Sequence, residues 1–323
     1  MSLKIVLMGT GEFAVPPFQA LLNSRHTVVG VLTQPDKIGR GHHQHVNPVK
    51  EIAEARGVPV FQPERVNRTE MLDTLRSLQA DMFIVAAYGQ ILKPELLAIP
   101  RLGAFNLHGS LLPRHRGAAP VQYSIWTGDS VTGVTIFQIE PALDSGPVVG
   151  RVETQIGEQE TSGELMLRLA ELSVPLTLHV VEQLAEGTAV FEPQDPTLVT
   201  LAPKLLRDAG VIDWSRTRGE IDCHVRAMQP WPKASTTLHR TGQSPLRCII
   251  SQVSVATDGL LPDNFLVDAG SHPGCLIEFD GRLLARASDG WLEIVRIQPE
   301  GRKSSDGRSF LNGYPLKNES QFR

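Results

Sequence analysis

Cysteine is scarce in this chain. Cys223, Cys248 and Cys275 stand far apart and form no C-x-x-C pair. That spacing argues against a disulfide framework and a thiolate zinc site, and small buried or partly buried thiols remain as the reading. Long apolar runs are missing as well. No stretch approaches the roughly 18 residues that a membrane helix needs. The N-terminal run Ile5–Met8 is stopped by Gly9, too soon for a signal peptide and its cleavage site, so the chain reads as cytoplasmic. Strong charge of one sign is also absent. A net charge of -4 does not make a general nucleic-acid surface. Residues 207–323 nevertheless carry 15 Lys/Arg against 14 Asp/Glu, while residues 1–206 carry 16 against 21. The C-terminal part therefore permits a polyanionic partner without requiring one.

There are no repeats or low-complexity tracts, and 323 residues suggest two domains. The first part alternates buried strands with helices. Lys4–Met8, Thr27–Leu32, Met82–Ala87, Gly103–His108 and Gly133–Ile139 read as strands. Helices are expected from Glu12 or Phe13 to Asn23, over Val49–Arg56 and Val121–Thr127, and from Thr161 to Leu184 with a stripe of Leu165, Leu167, Leu169, Leu172, Leu176 and Val180. Asn67 with Glu70 resembles a capping box that opens a helix through Met71, Leu72, Leu75 and Leu78. This is the pattern of an α/β fold, a mostly parallel Rossmann-like sheet with helices on both faces. Residues 188–206 lack a period and read as a linker. Beyond Pro230 come short runs at Ser235–His239, Arg247–Val255, Cys275–Phe279, Leu283–Arg286 and Trp291–Ile297, as in a small β-barrel or sandwich. The polar tail after Tyr314 reads as loose.

Gly9-Thr10-Gly11-Glu12-Phe13-Ala14 fits the dinucleotide fingerprint G-x-G-x-x-A. The second test fails, because strand two ends in Thr33-Gln34-Pro35 where an NAD site needs an acidic residue. A tight strand–helix turn is the better reading. His42, His43 and His45 lie in a Gly-rich loop with no cysteine and no nearby carboxylate pair, which argues against a metal. That loop also holds Lys37 and Arg40, which could meet a phosphate backbone or simply be solvated.

Asn106 and His108 end one strand, ahead of a Gly/Pro-rich loop, where open α/β sheets place their sites. Asp144 follows the next strand, and if the two strands run parallel it is carried toward His108. A carboxylate beside an imidazole favours the protonated ring. Together with the Asn106 amide, such a ring could polarise a carbonyl and hold negative charge on its oxygen. No nucleophile elbow is present, which disfavours a covalent acyl intermediate. Each of the three residues, taken singly, also has a structural reading.

Asn106–Pro120, reading Asn-Leu-His-Gly-Ser-Leu-Leu-Pro-Arg-His-Arg-Gly-Ala-Ala-Pro, closely resembles the signature of the folate-dependent formyltransferases, in particular the branch acting on methionyl-tRNA. The opening Gly-Thr-Gly-Glu-Phe-Ala, Thr33–Asp36 with Gly39–Gly41, Ala87–Gly89, Leu143–Gly146, Ile212–Ser215 and Pro230–Pro232 are similar to that family's motifs in the same order. The resemblance implies a catalytic domain over 1–187, a linker over 188–206 and an OB-like tRNA-binding β-barrel domain over 207–323. It implies 10-formyltetrahydrofolate as donor and the α-amino group of methionyl initiator tRNA as acceptor, with no metal needed; a cytoplasmic monomer with no membrane attachment is the accompanying expectation. Asn106, His108 and Asp144 match the family's catalytic trio. Ser110, Leu111, Leu112 and Pro113 match the segment lining the folate site, and Arg40 matches the basic position of the tRNA loop. In this reading Asn106 and protonated His108 hold the oxyanion while Asp144 orients the ring. Two departures stand out: His42-His43 where lysines are common, and Pro147 where an acidic residue is common. Arg114 and Arg116 have no assigned task. A sugar-nucleotide N-formyltransferase, a folate hydrolase or dehydrogenase relative, and a non-catalytic RNA-binding module are the alternatives.

Overall fold

The computed structural model describes residues 1–36, 47–255, 272–316 and 320–323. The chain divides into two compact units. One comprises residues 1–120, 131–155 and 164–203, the other residues 121–130, 156–163 and 204–323.

The first unit is built on strands β1 (Lys4–Gly9), β2 (Thr27–Leu32), β3 (Val60–Phe61), β4 (Met82–Ala86), β5 (Ala104–His108), β7 (Val131–Gln138) and β8 (Val148–Gln155), with the short pair β6 (Arg116–Gly117) and β9 (Leu201–Ala202) beside them. The main sheet runs in the order β3-β2-β1-β4-β5-β7-β8. β1 to β5 are parallel neighbours, whereas β7 is antiparallel to β5, and β8 to β7. Strand order reverses between β1 and β4, the switch point at which such sheets open a crevice beyond their carboxyl ends.

β1 shows why the strands are continuous apolar runs. Ile5, Val6, Leu7 and Met8 are all fully buried, and alternate residues point to opposite faces, so both faces need cover. On one face Val6, Met8, Phe83 and Val85 pack with Met71, Leu72 and Leu75. Those three line α3 (Thr69–Ser77), following α1 (Val15–Leu22) and α2 (Pro48–Glu54). Gly9 and Gly11 make the expected tight turn. A Cβ on Gly9 would lie 2.7 Å from the Ala86 carbonyl oxygen and 2.6 Å from the Phe18 ring, and Gly11 has φ +79°. The unit also takes in α4 (Pro94–Leu97) and most of α6 (Ser162–Glu186), which follows α5 (Pro120–Trp126) in the chain.

Two local expectations are corrected. Asn67 caps no helix. Its amide donates to the Ile91 carbonyl at 2.7 Å and its oxygen accepts from the Lys93 N–H at 2.9 Å, while Arg68 holds the N-cap position without a side-chain bond. Leu167, read as part of the α6 stripe, is 48% exposed, though Leu165, Leu169 and Val180 are buried.

The second unit contains α7 (Arg218–Ala227), opened by a true capping box between Thr217 and Glu220. Its strands are β10 (Ser235–His239), β11 (Leu246–Val255), β12 (Leu276–Phe279), β13 (Arg282–Arg286), β14 (Trp291–Pro299), β15 (Ser305–Asp306) and β16 (Gln321–Phe322), with α8 (Gly307–Gly313) between the last two. The antiparallel sheet runs β12-β13-β14-β11-β10-β16. A bridge from Cys275 to Gln321, the Leu276 N–H on the Ser320 carbonyl and the Phe322 N–H on the Gly274 carbonyl join its two edges. The sheet thereby closes into a small barrel, the fold expected here. Residues 320–323, at the end of the stretch expected to be loose, are held in place: Phe322 is 1% exposed and stacks on Trp214, centroids 5.3 Å apart, so one apolar side chain outweighs its polar neighbours. The three cysteines are free thiols.

Candidate active site

Alternation along β5 puts Asn106 and His108 on the same face of the sheet. Asn106 is half-buried, and its amide has no hydrogen-bond partner among the described residues, so it is available to a ligand. His108 is 4% exposed and packs edge-on against Phe137, centroids 6.2 Å apart. Its Nε2 lies 2.9 Å from the His115 carbonyl oxygen. A carbonyl only accepts, so Nε2 carries the proton and Nδ1 is left to face Asp144 Oδ2 at 3.9 Å.

Asp144 reaches that position by a route other than the expected one. Because β5 and β7 are antiparallel, with Phe105 opposite Gln138 and His108 opposite Thr135, the end of β7 lies beside the beginning of β5. The loop after β7 therefore has to double back to bring Asp144 to His108. Its turn uses a left-handed backbone at Asp144, φ +45°. Asp144 Oδ2 accepts the Gly117 N–H at 2.7 Å.

The charge state of His108 is corrected too. Burial pushes the imidazole below its ordinary value. Asp144 and the His115 carbonyl favour the charged ring but do not outweigh the lost hydration. The resting ring is neutral, with Nδ1 open to receive a proton and two acceptors placed to stabilise the cation that would form.

The loop after β5 is held from within. Ser110 is fully buried, donates to the Arg114 carbonyl at 2.7 Å and accepts the Thr135 hydroxyl on its own carbonyl at 2.7 Å. Leu112 is buried with Phe137 and Val148, and its N–H donates to Thr135 Oγ1 at 3.1 Å. Of the four residues expected at the folate site, Leu111 and Pro113 are half-buried and still have surface to offer. Arg116, previously without a task, donates through Nε and Nη2 to Gln194 Oε1 at 3.1 and 2.7 Å. Gln194 and Thr200 were not singled out by the sequence, because they lie in the stretch without periodicity.

Arg40 and His42, His43 and His45 fall outside the described residues. The positions flanking that loop are tied down. Lys50 pairs with Asp36 at 2.7 Å, Asn47 donates to Thr33 Oγ1 at 2.8 Å, and Gln34 donates to the Tyr88 carbonyl at 2.8 Å. Among the described residues no cluster of His, Cys, Asp or Glu is arranged to hold a metal, and no helix is long and apolar enough to cross a membrane.

A doubly wound sheet that offers an uncommitted amide and a buried proton acceptor at one strand end has the layout of a group-transfer enzyme. The chain belongs to the formyl transferase family. Residues 3–181 match the family's formyl transferase model and residues 204–315 the model of its C-terminal domain. It is 43% identical to a methionyl-tRNA formyltransferase of Rhodopirellula baltica over 98% of this chain and 95% of that protein. Among solved structures it is similar in fold to the sugar 3N-formyl transferase WlaRD, with a TM-score of 0.65 at 17% identity over 94% of this chain and 100% of that one. An N-formyltransferase from Helicobacter canadensis gives a TM-score of 0.62 at 17% identity over 91% and 98%.

Proposed function

We propose that this protein transfers the formyl group of 10-formyltetrahydrofolate to the α-amino group of methionyl initiator tRNA, as a cytoplasmic monomer. The observation that carries the reading is 43% identity to a methionyl-tRNA formyltransferase over nearly the full length of both chains. The sugar-directed relatives share only the fold, at 17% identity. Mass analysis of methionyl-tRNA after incubation with the protein and 10-formyltetrahydrofolate tests it. Formylation of an amino-sugar nucleotide and not of the tRNA would overturn it.

The chemistry follows from the side chains. Attack of the amine on the formyl carbon puts negative charge on the formyl oxygen, and the Asn106 amide supplies an N–H to it. The attacking nitrogen must lose a proton, and Nδ1 of neutral His108 accepts it. The imidazolium so formed donates from Nδ1 toward Asp144 and from Nε2 to the His115 carbonyl. Both partners stand in place before the charge appears, which lowers the reorganisation the step requires. As the adduct collapses, the bond between the formyl carbon and the donor nitrogen breaks, the imidazolium returns its proton to that nitrogen, and tetrahydrofolate leaves. Leu111 and Pro113 offer apolar surface to the donor, and that donor carries the one-carbon group, so the residues described need only bind, orient and move one proton.

The long acceptor needs contacts beyond the site. Arg302 and Lys303 line a groove of about 490 Å³ with Ser305, Ser309, Phe310 and Tyr314, and among the described residues no carboxylate lines it. The guanidinium of Arg240 sits 5.3 Å from the centre of the Tyr314 ring. Two cations in a groove that also holds aromatic rings, with a third cation over one of those rings, suit a phosphate backbone. Arg40, matched by resemblance to the tRNA loop, is the contact expected from the first unit.

A further inference from the structure

The segment 194–202 touches both neighbours of His108. Gln194 sits between Arg116 and the Asp144 loop. It accepts two guanidinium N–H groups on Oε1, and its Nε2 donates to the carbonyls of Asp144 and Gly146, each at 2.8 Å. Thr200 Oγ1 accepts the His115 N–H at 2.8 Å, and the Thr200 carbonyl accepts the Arg116 N–H at 2.9 Å. β9 then pairs with β6, placing Ala202 opposite Gly117, and a Cβ on Gly117 would collide with the Ala202 carbonyl. The two residues that flank His108 both need outside support. Asp144 and His115 hold left-handed φ values of +45° and +60° without being glycine.

We infer that Gln194 and Thr200 are positioning residues for formyl transfer: Thr200 fixes the carbonyl that decides which nitrogen of His108 carries the proton, and Gln194 fixes the backbone that presents Asp144 to the other nitrogen. They touch no reacting atom and act through His115 and Asp144. The inference rests on the formyltransferase reading for its kinetic arm, and its spectroscopic arm needs no substrate.

The test uses the full chain with Thr200→Val, Thr200→Ser, Gln194→Ala and Gln194→Glu. Thr200→Val keeps the shape and removes the hydroxyl, and lowers kcat by about 10- to 100-fold with the KM values for donor and tRNA little changed. Thr200→Ser restores the hydroxyl and most of the rate. Gln194→Glu keeps the acceptor for Arg116 but turns an oxygen toward two carbonyls, so it fails at least as badly as Gln194→Ala. Nitrogen-15 NMR of the His108 ring in the unliganded protein reports the Nε2–H tautomer in the parent chain and its loss in Thr200→Val. Thr200→Val with parental kcat and tautomer overturns the inference, as does full activity in Gln194→Glu. Should the Gln194 variants not fold, the Thr200 pair alone decides. If the parent chain forms no formyl-methionyl-tRNA, the functional reading fails, while the tautomer comparison still judges the positioning role.

Discussion

The carbonyl of His115 and the ring of His108 meet at 2.9 Å across a loop seven residues long, so the loop that follows the histidine closes back on it and sets its proton. The other nitrogen of the ring is turned to Asp144. A neutral ring held between two acceptors is ready to take up one proton.

Replacing the ring removes the proton acceptor. His108→Ala is expected to lower kcat by about 10²- to 10⁴-fold, with the KM for the donor close to that of the parent protein. Steady-state formylation kinetics check this, and undiminished turnover would remove His108 from the chemistry.

Asp144→Asn has a directional signature. The carboxylate pulls His108 toward its charged form, so its loss lowers the proton affinity of the ring further. The plateau rate falls, and the acid limb of kcat moves to lower pH. A pH–rate profile of the variant beside the parent shows either that displacement or, against expectation, a limb displaced upward.

Stability depends on pH through two buried rings. His108 and His224 are both held below the ordinary histidine value, chiefly by burial. The unfolded chain therefore binds more protons than the folded one as pH falls through about 6.5, and unfolding is favoured. The stabilisation is complete above that pH and is lost progressively as pH drops toward the folded values. Calorimetry between pH 7.5 and 5.5 should show a falling Tm, and a smaller fall in His224→Gln.

The Arg302/Lys303 groove acts through charge. Arg302→Ala with Lys303→Ala raises the KM for tRNA and leaves the donor KM unchanged. It also flattens the dependence of log affinity on log salt by about 0.7–0.9 per lost contact. Filter binding across a salt series checks this, and an unaltered slope would remove the groove from the tRNA footprint.

Phe322 is the anchor of the strand that closes the barrel. Phe322→Ala should cost about 3–5 kcal/mol, since a large side chain leaves a fully buried site against Trp214. Urea unfolding followed by Trp214 fluorescence measures it.

The sequence was most legible where one short stretch holds both the structural and the chemical signal. β1, β4 and β5 are apolar runs, and Asn106 and His108 sit at the end of one with the loop residues just after. An apolar run does not encode strand direction, and this is why β7 was misjudged and Asp144 was brought in by the wrong route. Asn67–Glu70 and Thr217–Glu220 have the same capping spacing, but only the second forms. Asn67 has stronger partners in Ile91 and Lys93, and a three-residue pattern does not reveal partners more than twenty residues away. Gln194 and Thr200 were illegible for the same reason, since the site residues they hold, Asp144 and His115, lie 50 and 85 residues earlier. His108 looked charged because a carboxylate neighbour shows in a motif and the depth of burial does not.

The support drawn from residues 194–202 also bears on how this protein can be cut and recombined. A fragment ending at 187 would contain every residue of the Asn106, His108 and Asp144 set and lack both Gln194 and Thr200. It would look complete by its motifs and be crippled in its chemistry. A join placed after Pro203 carries the whole support, and the interleaving of residues 121–130 and 156–163 with the other unit means that even this join exchanges more than one continuous module. Chimeras between relatives of this family should therefore tolerate crossovers after 203 far better than crossovers between 144 and 194.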